Sequence, residues 1–261
     1  MKSYKIILIV LIVLISQSVM SQIHLENIEY KDGDVVLEGY IAYDESFTDL
    51  RPGILVVHEW MGLNDYTKMR CEMLAKLGYF AFAADIYGKG IRPANYDEAG
   101  KQASMYKSDR NLMRSRVNAA LKEMKKQKFV NSSKIAAIGY CFGGTTVLEL
   151  GRSGADIKGI VSFHGNLDTP DPNDANNIKA RILICHGSAD PFVPAEQMKA
   201  FEDEMKNANV HWKFISYEGA VHSFTNPNSG NDTSRGAAYD EKADKVSWED
   251  MRSFFGEIFK D

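Results

Sequence analysis

The chain has 261 residues, 44% hydrophobic and 25% charged, with a net charge of −4. That balance suits one compact globular domain with a full core, or at most two small ones. No basic stripe runs along the sequence, so nucleic acid is not an expected partner.

The N-terminus is different in kind. Met1-Lys2-Ser3-Tyr4-Lys5 is a short basic start, residues 6–15 are almost purely aliphatic, and residues 16–22 are small and polar. This is the pattern of a secretory signal peptide, with cleavage expected after Ser21. The apolar run falls short of the roughly 20 residues a membrane span needs. A leader at 1–21 and an exported domain at 22–261 are therefore expected, periplasmic or secreted, with no membrane span after cleavage. Three cysteines, Cys71, Cys141 and Cys185, match no zinc or disulfide framework. Cys71 and Cys185 read as small core residues, and a bridge between them stays open.

Residues 35–43 alternate enough for a strand on the edge side of a sheet. Residues 54–58 form a continuous apolar run, suited to a strand covered on both faces. A helix is predicted over 66–77, stopped by Gly78. A strand at 79–84 and a polar, Gly-rich loop at 85–94 follow. Helical segments lie between 96 and 128, then a strand at 134–138. Further strands are predicted at 157–163, 181–185 and 211–217, and helices at 195–207 and 244–259. Strands alternating with helices predict an α/β fold with a mostly parallel sheet. Two polar loops, 166–177 and 226–236, are long enough to be functional.

In open parallel sheets the chemistry collects beyond the carboxyl ends of the strands. Gly139-Tyr140-Cys141-Phe142-Gly143-Gly144 lies between the strand at 134–138 and a helix-like segment at 145–150. Strand, Gly-flanked turn and helix make the shape of a nucleophile elbow, here with cysteine where serine is more usual. First-turn N–H groups of such a helix favour a thiolate and an oxyanion. Alone, the turn suits a buried structural cysteine equally well. Three other groups follow strands: Glu59 after 54–58, Asp190 after 181–185, and His222 after 211–217. Nucleophile, acid and histidine come in the chain order of α/β-hydrolase triads. In that reading His222 manages the thiol proton and Asp190 orients the imidazole. The Phe142 N–H is one oxyanion donor, and Trp60 supplies the second. Tyr87, Trp60, Phe142, Phe224 and Lys89 would line an aromatic pocket with one cation. The histidines at 58, 164, 186, 211 and 222 fall on different elements without ligand spacing, so neither metal nor cofactor is expected.

Three blocks carry a resemblance: His58-Glu59-Trp60-Met61-Gly62-Leu63-Asn64, the Cys141 turn, and Gly219-Ala220-Val221-His222-Ser223-Phe224. They resemble the dienelactone hydrolase family. Asp85-Ile86-Tyr87 and His186-Gly187-Ser188-Ala189-Asp190 support the similarity, which spans about residues 25–260. It implies a single α/β-hydrolase domain with a Cys141, His222 and Asp190 triad. It also implies that Glu59 contacts the resting thiol and helps to activate it when substrate binds. The substrate class implied is a small-molecule carboxylic ester or lactone. The two arginines that hold the substrate carboxylate in the best-known members fall on Lys89 and Asn226 here, with Arg92 nearby. A different ester or lactone is therefore expected. A peptidase or acyltransferase on the same fold is the alternative. A non-catalytic binding protein on a hydrolase scaffold is another, and a monomer is the default.

Overall fold

Residues 22–260 are described by the structure, a computed structural model. The leader expected at 1–21 lies outside the described residues. The described chain opens with an antiparallel hairpin, β1 (Ile23–Asp32) and β2 (Val35–Asp44). Its turn is Gly33-Asp34, with Gly33 at φ 59, the left-handed conformation that tight hairpins demand. Then come β3 (Arg51–Val57), α1 (Asp65–Lys76), β4 (Phe80–Ala84), α2 (Tyr96–Ser108) and α3 (Arg110–Met124). β5 (Val130–Tyr140), α4 (Phe142–Arg152), β6 (Gly159–Phe163), β7 (Arg181–Gly187), α5 (Ala195–Asn207), β8 (Trp212–Tyr217) and α6 (Glu241–Ile258) complete the order.

All eight strands form one sheet in the order β1-β2-β4-β3-β5-β6-β7-β8. β2 is antiparallel to both neighbours, and every pairing from β4 to β8 is parallel. The expected α/β architecture is therefore what the chain forms. β1 was not among the predicted strands. It lies outside β2 and takes the sheet edge.

The apolar run in β3 explains the layering. Ile54 and Val56 face a core shared with Tyr66 and Leu74 of α1 and Met251 and Phe255 of α6. Leu55 and Val57 face the opposite core, with Val117 of α3, Val147 of α4 and Phe201 of α5. Side chains alternate across a strand, so helices on both faces require apolar residues at every position. The helices start where side chains cap them. Asn64 accepts from the Thr67 N–H and Asp240 from the Ala243 N–H. The Asp240 cap starts α6 three residues before the predicted 244. Among the described residues, no helix is long and apolar enough to cross a membrane. The parallel strands all end on one edge. Glu59, Asp85, Cys141, His164, Asp190 and His222 follow those ends closely.

Candidate active site

Cys141 sits between β5 and α4 with φ 54 and ψ −114. That conformation costs a non-glycine residue about 1–3 kcal/mol, so the surrounding turn must impose it. Two glycines make the turn possible by close approach. A Cβ on Gly139 would lie 2.0 Å from the Gly143 carbonyl oxygen, and one on Gly143 would lie 2.3 Å from that of Val57. The Cys141 N–H donates to the Phe163 carbonyl (3.0 Å) and to His164 Nδ1 (3.2 Å). Phe142 and Gly143 open α4, so their N–H groups have no acceptor within the helix.

His222 lies on the loop after β8. Its Nδ1 is 2.8 Å from Asp190 Oδ2, while Asp190 Oδ1 accepts the Phe192 N–H at 2.8 Å. Cys141 and His222 line the same cleft, and the sulfur acts electrostatically on the imidazole. Burial works against a charged His222. The Cys141 sulfur and the Asp190 hydrogen bond outweigh it and push the imidazole up to about 10. The His222 backbone is fixed as well: its N–H donates to the Gly236 carbonyl (3.1 Å) and its carbonyl accepts the Ala238 N–H (3.0 Å).

Glu59 is buried. It accepts from Ser223 Oγ (3.2 Å) and Asn226 Nδ2 (2.5 Å), both on the His222 loop. Burial pushes its carboxyl above the usual range, against those hydrogen bonds. His58 Nε2 accepts the Ile86 N–H at 3.2 Å, so the ring proton is on Nδ1 and points to the Glu59 carbonyl at 2.6 Å. Burial lowers His58 to about 4, so it stays neutral. The Gly62 N–H also reaches the Glu59 carbonyl, at 3.1 Å. Across a trans peptide, the Trp60 N–H then points the opposite way.

A cleft of about 560 Å³ opens above these groups, lined by Trp60, Tyr96, Cys141, Asn166, Phe192, His222, Ser223, Ser229, Arg235 and Ala237. Trp60 stacks on Tyr96 with centroids 5.3 Å apart. Phe192 stands edge-on to His222 at 5.3 Å. Asn166 braces the far wall: it donates to the Phe192 carbonyl (2.7 Å) and accepts from Lys107 Nζ (2.5 Å).

The family model of the dienelactone hydrolase family matches residues 37–259. The chain belongs to that family. It is thereby an ester or lactone hydrolase. A solved dienelactone hydrolase-like promiscuous phosphotriesterase from metagenomic libraries is 40% identical, with a TM-score of 0.87, covering 91% of this chain and 99% of that one. An uncharacterized protein of Caenorhabditis elegans, K02A2.1, is 38% identical over 160 residues, 58% of this chain and 98% of its own. A mouse carboxymethylenebutenolidase homolog is 26% identical over 198 residues, 73% of this chain and 78% of its own.

Within this dienelactone hydrolase family member, the structure brings Cys141, His222 and Asp190 together and seats Glu59 against the His222 loop. Trp60 lines the cleft, and the other residues expected to line it do not. Tyr87 is buried below it, where its hydroxyl donates to the Trp60 carbonyl at 2.9 Å. The Phe142 ring packs inward against Tyr87 and His58, and only its backbone faces the thiol side. Phe224 is fully buried against His164 and Tyr217. Lys89 pairs with Glu29 of β1, away from the cleft. Arg92 is tied to the Leu63 and Ile91 carbonyls, each at 2.8 Å. Asn226, at the family's second arginine position, holds Glu59 instead. The cleft's cation is Arg235, and its aromatic walls are Trp60, Tyr96 and Phe192. Sequence reading missed Tyr96, Asn166, Phe192 and Arg235. Phe192 had a usable signal, two residues after Asp190, and Arg235 lay in a loop already marked as long and polar.

Proposed function

We propose that this hydrolase cleaves a carboxylic ester or lactone with Cys141 as nucleophile. The observation that carries this reading is His222, bonded to the buried Asp190 and lining the same cleft as Cys141. With the proton already held on His222, the Cys141 sulfur attacks the carbonyl carbon. The resulting oxyanion is met by the Phe142 N–H at the start of α4 and by the Trp60 N–H. Collapse of this intermediate breaks the ester C–O bond, and His222 hands its proton to the leaving alcohol. Water then attacks the Cys141 thioester while His222 takes its proton, and the acid leaves as the thiolate re-forms. One ester and one water give one acid and one alcohol. Asp190 holds the imidazole throughout. Glu59 serves by anchoring Ser223 and Asn226 beside His222. Trp60, Tyr96 and Phe192 suit an apolar group on the substrate, and Arg235 suits a negative one at the rim.

Thiol alkylation tests this. Burial pushes Cys185 up to about 12 and raises Cys71 as well. Iodoacetamide at neutral pH should therefore label Cys141 alone, with ester turnover falling in step with the label. Undiminished turnover by fully labelled protein would sink the reading.

A second activity is favoured by the 40% identical phosphotriesterase relative. The same sulfur and oxyanion donors could address a phosphoryl centre. Slow paraoxon hydrolysis that disappears in Cys141→Ala is expected, and its persistence in that variant would exclude this site. We also propose export, on the pattern of residues 1–21. N-terminal sequencing of the protein from its native host should begin at Gln22, and an intact Met1 would reject the proposal.

A further inference from the structure

We infer that His164 is a positioning residue that locks the Cys141 turn and the His222 loop into one unit. The inference rests on the reading of Cys141 as nucleophile. His164 follows β6 at φ 41, a left-handed conformation unusual for a residue with a side chain, and it is 1% exposed. Its own N–H donates to the Cys185 carbonyl at 2.8 Å, which fixes the backbone across β7.

The ring makes two bonds of opposite sense. Nδ1 lies 3.2 Å from the Cys141 N–H. A backbone N–H can only donate, so Nδ1 carries the lone pair. The ring proton is therefore on Nε2, which lies 2.7 Å from Thr225 Oγ1. Thr225 is on the His222 loop, and its hydroxyl continues to the Tyr66 hydroxyl at 2.7 Å. Arg70 closes the chain: its Nε donates to that Tyr66 hydroxyl (3.3 Å), and its Nη2 donates to the Thr225 carbonyl (2.5 Å) and Asp244 (2.6 Å). One buried polar line thus runs from the nucleophile's own amide through β6 and the His222 loop to α1 and α6.

The line works only with a neutral imidazole. A proton on Nδ1 would set two N–H groups against each other at the Cys141 amide. The groups facing His164 hold it neutral. His222 stands edge-on at 5.2 Å, Tyr140 of β5 lies at 6.2 Å, and Arg70 and His186 approach from α1 and the end of β7. Tyr66 and Asp244 complete the surroundings through Thr225 and Arg70. Burial first, then His222 and Arg70, depress the His164 pKa well below the usual range.

The two bonds can be removed separately. Asparagine places an acceptor near the Nδ1 position and tolerates the left-handed backbone. Glutamine places its amide near Nε2 but leaves the Cys141 N–H without that partner. His164→Ala should lower kcat by about 10- to 100-fold with little change in KM, because the substrate cleft is untouched while nucleophile and base lose register. His164→Asn should recover most of that loss and His164→Gln little of it. Thr225→Val should lower kcat without altering the Cys141 amide bond. The rate of Cys141 alkylation by iodoacetamide should fall in the same order, a readout that does not require the ester reading to hold. Equal kcat and alkylation rates in wild type and His164→Ala would overturn the inference. So would Asn and Gln variants that differ only in melting temperature. If His164→Ala does not fold, the Asn, Gln and Thr225→Val variants decide it.

Discussion

Cys141→Ala is expected to lower kcat/KM for nitrophenyl esters by about 10⁴-fold or more while the protein stays folded. Without the sulfur, the cleft keeps only its oxyanion donors and its walls, and these give the residual rate. Cys141→Gly should lose activity to the same extent and yet raise the melting temperature. At φ 54 the cysteine side chain carries backbone strain that glycine does not. That opposite movement of activity and stability marks strain held for function. Steady-state kinetics with circular-dichroism melts measures both. Equal ester turnover by wild type and Cys141→Ala would contradict the assignment.

Arg152→Met is expected to destabilise the protein by about 3–5 kcal/mol, the usual result of leaving buried charges unpaired. Arg152 of α4 is 1% exposed and lies between Glu149 (3.0 Å) and Glu204 of α5 (2.7 Å). Burial works against its charge, and the two carboxylates outweigh it. Glu149 in turn meets Arg114 at 2.7 Å, and Arg114 meets Asp174 at 2.6 Å. Arg152 also donates to the Leu167 carbonyl at 3.0 Å. The network therefore pins residues 166–177, the predicted polar loop, whose first residue lines the cleft. Urea unfolding of Arg152→Met should show a loss of that size, and a paired replacement of Arg152 and Glu204 by apolar residues should recover part of it. A loss below about 1 kcal/mol would mean the network is hydrated and weak.

The triad was legible because three reactive side chains each follow a strand, and parallel strands deliver their ends to one edge. The elbow glycines added a turn that tolerates no Cβ. The cleft walls were harder. Phe142 and Phe224 look like lining residues by their nearness to Cys141 and His222, but their rings turn into the core. Lys89 looked like the pocket cation, and its partner Glu29 stands on β1, the strand that went unread. The clue to β1 was local: Asp32-Gly33 is a tight-turn signal, but few inward residues precede it. The Glu59–Asn226 bond joins positions 167 apart, a distance no local pattern encodes. Glu149 and Arg152, spaced as an exposed helix pair, lie instead on a helix whose residues are all buried.

Rapid-quench mass spectrometry during nitrophenyl acetate turnover tests the central claim most directly. One acetyl group should appear on Cys141, at the rate of the first burst of nitrophenol, and His222→Gln should abolish both. Turnover with Cys141 unmodified throughout, or with the acetyl group on another residue, would contradict cysteine nucleophilic catalysis in this chain.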